Sequence, residues 1–128
     1  MREEALAVHN KFREIHGASP MVLNKKLCEE SEAWAKVIAE RNGLNHSAAK
    51  DYGENLAYGC NGEKKISPVR DSVEDWYREV CDTRYNFDAD YQLGTQHFTQ
   101  VIWKESTHLG KISAHGDKPS SNTSCFTF

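Results

Sequence analysis

The sequence predicts a single α+β domain. Three stretches carry apolar residues at helical spacing, and three or four short runs carry the aromatic and β-branched residues that strands favour. The two kinds are mixed without the regular strand–helix alternation that a doubly wound parallel sheet would need. The 128 residues suit one domain, 1–128, and contain no repeat, low-complexity tract or linker.

The first helix is read at residues 3–16, where Leu6, Val8, Phe12 and Ile15 fall mostly at helical spacing before Gly17 ends the pattern. Gly17 to Leu23, with Pro20, reads as a connecting loop. Asn24 then caps a longer helix whose stripe is Leu27, Ser31, Trp34, Ala35 and Ile38, closed by Asn42-Gly43. Leu44 to Glu63 is rich in Gly and Asn and holds one strand candidate, Glu54–Tyr58. A third helix is signalled by Ser67 as cap and Pro68 in the first helical position. Its buried stripe is Val69, Val73, Trp76, Tyr77 and Val80, with Glu74 and Arg78 as an i,i+4 pair outside. After a loop bearing Tyr85, Phe87 and Tyr91, strands are expected at His97–Trp103, Ile112–His115 and Ser124–Phe128. Trp34, Trp76 and Trp103 are expected in the core.

Composition narrows the function. Hydrophobic residues make up 38% and charged residues 27%, the balance of a soluble globular domain. The net charge is −3, and no Lys/Arg-rich stretch could track a phosphate backbone, so nucleic acid is not an expected partner. No apolar run nears the roughly 18 residues of a membrane span. Met1-Arg2-Glu3-Glu4 opens no signal peptide, and Arg2 stands where myristoylation needs Gly. The four cysteines, Cys28, Cys60, Cys81 and Cys125, allow two disulfides in three connectivities. None forms a C-x-x-C pair, so no zinc knuckle is indicated.

Four segments say more. They are His9-Asn10-Lys11-Phe12-Arg13, Gly53-Glu54-Asn55-Leu56-Ala57, Asp75-Trp76-Tyr77 with Glu79, and the run His97-Phe98-Thr99-Gln100-Val101-Ile102-Trp103. In that order they resemble the CAP superfamily of cysteine-rich secretory, antigen 5 and pathogenesis-related proteins. The resemblance covers about Leu6 to Gly110. Tyr85-Asn86-Phe87 and Cys28 are most similar to its Golgi-associated plant pathogenesis-related branch. Three departures stand out: Gln96 replaces the usual Gly, Gly110 runs directly into Lys111, and the chain stops at Phe128, where the last strand motif would begin. The end of the last strand is therefore expected to be missing. The resemblance implies a three-layer α-β-α sandwich with a small, mainly antiparallel central sheet.

It also implies a cleft of two His and two Glu: His46, Glu54, Glu79 and His97. Spacing alone gives no metal motif, since His46 and His97 stand 51 positions apart, and a hydrogen-bonded polar cluster is the alternative. On the resemblance, His46 and His97 would hold a divalent metal such as Zn, weakly and without being needed for folding. Glu54 and Glu79 would orient the imidazoles. His9 is read as a helix-packing residue, Arg13 as a buried structural contact, and His16, His108 and His115 as solvated.

The function expected is a non-enzymatic module that associates with a lipid or membrane surface, with a homodimer as a further partner. Tyr85, Phe87 and Tyr91 are the lipid-contact candidates; they fit the branch's Φ-x-Φ-x₄-Φ pattern except that Gln92 takes its last position. Two alternatives stay open. One is a metal-dependent or His/Glu-assisted hydrolase, with Ser47 beside His46 but no G-x-S-x-G elbow. The other is a secreted, venom-allergen-like interaction protein. The expected compartment is the cytosol or the cytosolic face of Golgi membranes, with all four cysteines reduced.

Overall fold

The computed structural model describes residues 2–41, 43–60, 68–89, 92–115 and 121–128, and of 58–60, 68, 111–115 and 121–127 only the backbone. The element order is α1 (Arg2–Ile15), β1 (Val22–Leu23), α2 (Lys25–Arg41), β2 (Glu54–Cys60), α3 (Pro68–Asp82), α4 (Gln96–Val101), β3 (His108–His115) and β4 (Ser121–Thr127).

Glu3 and Glu4 in the first turn of α1 and Arg13 in the last complement the helix dipole. The buried face is Ala5, Val8, His9, Phe12 and Arg13, a 3-1-3-1 spacing that follows the helical repeat. Ile15, expected in that stripe, is the last helical residue and stays 63% exposed. Gly17, at φ 67°, then closes the helix. Its N–H bonds to the Glu14 carbonyl, and the Ala18 N–H reaches back to Arg13. This left-handed stop satisfies carbonyls that the helix end would otherwise orphan.

The segment read as a plain loop up to Leu23 contains β1, which pairs parallel with β3 at Val22↔His108 and Leu23↔Leu109. Asn10 seats it on α1: its amide donates to the Met21 carbonyl and accepts from the Met21 N–H, at 3.1 and 2.8 Å. Asn24 caps α2 as expected, its Oδ1 accepting the Leu27 N–H at 3.0 Å. The residues α2 buries are Cys28, Ser31, Ala35 and Ile38. Pro68 opens α3 as expected, while Ser67 and Asn42 lie outside the described residues. Arg78 pairs with Asp75 at 3.6 Å, not with Glu74.

The expected strand at His97–Trp103 is a correction: this segment forms α4. Thr99 N–H bonds to the Thr95 carbonyl, and the Phe98 N–H is taken by a carboxylate of α3. Tertiary contact with α3 outweighs the β propensity of Phe98, Thr99 and Val101.

The sheet order is β1-β3-β4-β2, with β3–β4 and β4–β2 antiparallel and β1–β3 parallel. One core joins α1, α3, α4 and β3 through Val8, Phe12, Val73, Trp76, Val101 and Leu109. A second, of Ala35, Ile38 and Leu56 with Trp34 against it, lies between α2 and β2. Trp103 departs from the expected core, being 52% exposed.

Arg13 ties the helices to the far end of the chain. Its guanidinium donates to the carbonyls of Ser19, Val101, Trp103 and Ser106 at 2.8–3.2 Å. Five donors in a planar fork make such a multiple carbonyl clasp something only Arg can do.

Candidate functional site

His46 sits on the segment between α2 and β2, which Trp34 anchors by donating its indole N–H to the Asn45 carbonyl at 2.9 Å. Glu54, the first residue of β2, turns its carboxylate to that segment. Its Oε1 accepts both His46 Nδ1–H and the Ser47 backbone N–H, each at 2.9 Å. The Glu54 side chain is 7% exposed and that of His46 65%. The acid is thus held while the imidazole faces solvent.

His97 forms the second pair. Glu79, from α3, accepts His97 Nδ1–H on Oε1 at 2.7 Å and the Phe98 N–H on Oε2 at 2.9 Å. Thr95, the residue before α4, commits its hydroxyl to the Gln92 carbonyl and gives the helix no side-chain cap. Glu79 therefore supplies the negative charge that the start of α4 needs. The His97 ring stacks on Trp76, with centroids 5.7 Å apart and 16° between planes.

An ionised carboxylate has no proton to give, so Nδ1 of each histidine must be the donor and Nε2 carries the lone pair of the neutral ring. This is how a histidine is prepared to ligate through Nε2. Asn55, next to Glu54, donates to the His97 carbonyl at 3.1 Å and so connects the two pairs through β2. The structure brings together His46 with Glu54 and His97 with Glu79. Ser47 meets Glu54 through its backbone. Among the described residues, no three His, Cys, Asp or Glu side chains gather as a metal site.

Tyr85 and Phe87 meet edge to face at 4.9 Å, and Tyr85 packs on Phe98 at 5.0 Å. Phe87 is 64% exposed, and Tyr91 lies outside the described residues. Gln92 closes this loop, accepting the Asn86 N–H and donating to the Thr83 carbonyl. His16, expected to be solvated, instead bonds through Nε2 to the Tyr77 hydroxyl at 2.9 Å, and burial lowers its pKa. Its neighbours in sequence give no sign of Tyr77, which is 61 positions away. His9 packs inside as expected, its Nδ1–H donating to the Ala5 carbonyl at 2.7 Å.

Comparison with known proteins gives the family and the fold. The sequence pattern of the CAP, or cysteine-rich secretory protein, family matches residues 6–128. The chain is 37% identical over 110 residues to Repressed by EFG1 protein 1 of Candida albicans, covering 84% of this chain and 38% of that protein. It is 31% identical over 122 residues to the human Golgi-associated plant pathogenesis-related protein 1, covering 92% of this chain and 75% of the relative. Its fold is similar to the crystal structure of NaASP2 with Zn2+, at a TM-score of 0.77 and 16% identity, covering 98% of this chain and 77% of that one.

Proposed function

Because the chain belongs to the CAP family, we propose that it is a non-enzymatic binding module whose His46 and His97 take a divalent metal such as zinc and which associates with a lipid or membrane surface. The observation that carries the metal half is the carboxylate on Nδ1 of each histidine. That arrangement fixes the ring and leaves Nε2 for the ion. Two imidazoles suit zinc, and NaASP2, of similar fold, has been crystallised with Zn2+. With two protein ligands the other positions fall to water, so affinity is modest and the fold does not depend on the ion. When bound by His46 and His97, zinc would supply a Lewis-acidic centre.

The lipid half rests on exposed apolar side chains: Phe87 is 64% and Leu93 76% exposed, both in the segment after α3. With a net charge of −3, attachment relies on apolar contact more than on attraction to anionic headgroups. The reading includes a three-layer helix–sheet–helix stack and a homodimer. Two separate cores, one with α2 and one with α1, α3 and α4, support the layers. The human relative's name and the free thiols Cys28 and Cys81 support the cytosolic face of Golgi membranes. The family's description as secretory supports an extracellular site as the second reading.

Zinc titration calorimetry tests the metal. One-to-one binding is expected for the wild type and none for His46→Ala/His97→Ala, with the fold kept. Equal binding by the double variant overturns the site. Co-sedimentation with neutral and with acidic liposomes tests the lipid half, and binding to neither counts against it. Turnover of ester or peptide substrates that stops on Glu54→Gln or Ser47→Ala would replace this reading with the hydrolase.

A further inference from the structure

We propose a saccharide-binding site, for sugars without acidic groups, in the groove between the start of α2, residues 51–53 and the segment that follows α4. The groove encloses about 500 Å³, and neither His46 nor His97 nor their glutamates line it. That volume lies within the range of small-ligand sites.

A pyranose ring presents an apolar face of C–H groups and a rim of hydroxyls. It asks for a flat aromatic platform beside planar groups that accept and donate hydrogen bonds. Trp103 is the platform, lining the groove with half its surface exposed. Its backbone is pinned: the Trp103 carbonyl accepts from Arg13 at 2.8 Å and from the Ser106 N–H at 3.2 Å. A fixed backbone leaves only the side-chain torsions of Trp103 to be ordered when a ring stacks on it.

The rim is supplied by Gln100, Asp51 and Glu105. Gln100 donates to the Ser106 hydroxyl at 3.2 Å and lies against Gly53, where any side chain would collide with its amide. The amide is thereby held beside Gly53, and Asp51 and Glu105 add exposed carboxylates that accept from paired sugar hydroxyls.

Charge sets the class of sugar. Glu30, Asp51 and Glu105 face one lysine, Lys26, which stands 3.8 Å from Glu30. Carboxylates outnumber the ammonium, so sulfate, phosphate or uronate groups are repelled while neutral and amino sugars are admitted.

The test uses saturation-transfer NMR and calorimetry in EDTA, which separates this site from the metal reading. The probes are chitotriose, cellotriose, maltotriose and mannotriose, a glucosamine trimer, and a sulfated heparin tetrasaccharide. At least one neutral or amino trisaccharide is expected to saturate at millimolar concentration, and the heparin fragment is expected not to bind. Trp103→Ala should weaken the best probe by about tenfold or more with an unchanged thermal melt. Asp51→Asn/Glu105→Gln should weaken it comparably while keeping side-chain size. Failure of all five non-acidic probes overturns the proposal. So does preferential binding of the heparin fragment, or undiminished binding by a folded Trp103→Ala.

Discussion

His9 and Arg13 stand one helical turn apart on the same side of α1, and neither exposes any surface. Two groups that can each carry a positive charge are thus buried together, and only the guanidinium keeps its charge. Burial is the main reason that His9 is depressed to about 4, the bond to the Ala5 carbonyl partly opposes it, and the Arg13 charge adds to it.

This depression makes stability depend on pH. Below about 6.5 the unfolded chain takes up a proton on His9 that the folded chain refuses until about 4. The contribution is complete above that upper value and lost as pH falls through the window, roughly 3 kcal/mol in all. Urea unfolding from pH 7 to 4 should show this slope, and His9→Gln, which keeps a donor for the Ala5 carbonyl, should flatten it. A wild-type curve that stays level from pH 6.5 to 5 would contradict the assignment.

Arg13→Lys should destabilise the fold by about 2 kcal/mol and Arg13→Met by about 3–5 kcal/mol, because charge-assisted bonds are lost and buried carbonyls orphaned. Chemical denaturation measures both. An ammonium reaches fewer of the four carbonyls than the fork does, so the order of the two variants is the sharper part of the expectation.

Gly110 and Gly17 should respond differently to alanine. A Cβ at Gly110 would run into the main chain of Leu27, where α2 crosses β3. Backbone cannot move aside as a side-chain tip can, so about 3 kcal/mol or more is expected. At Gly17 the space is open and only the φ of 67° objects. Gly17→Ala should cost about 1 kcal/mol. Thermal melts of the two variants would reveal the contrast.

These pairs also mark what was legible beforehand. The starts of α2 and α3 and the end of α1 were readable because Asn24, Pro68 and Gly17 act within a few residues of their own position. The start of α4 was not, because its amide is capped by Glu79 from another helix. β1 was hidden for the same reason, its partner being residues 108–109. His46, Glu54, Glu79 and His97 were reached through family resemblance, since no local spacing joins them; the structure supplies the pairing. Trp103 misled because its residue type suggests burial, while the bonds that place it are made by its carbonyl and leave the ring at the surface.

Glu79→Gln should affect the metal site and the fold together. The amide keeps one acceptor for two donors, His97 Nδ1–H and Phe98 N–H. At the proposed His46/His97 site, zinc affinity should drop about 10–100-fold. Glu54→Gln should do the same at His46. Calorimetry beside circular dichroism separates lost ligation from a frayed α4.

Thiol chemistry offers a simpler check. Cys81 is exposed on α3, while Cys28 is 3% exposed on the buried face of α2, and both are free. An aromatic disulfide reagent should label Cys81 at once in native protein and Cys28 only on unfolding. Immediate labelling of both would mean that α2 opens readily.

The sheet order carries a lesson about synthesis. β4, the last described strand to leave the ribosome, sits between β3 and β2, so both of its neighbours are made earlier and wait for it. A growing chain must hold two unpaired edges apart without letting them join each other or another nascent chain. The sheet therefore closes only once β4 has been made, because β4 joins β3 to β2. Until β4 is made, those edges are the part of the sheet most exposed to wrong pairing.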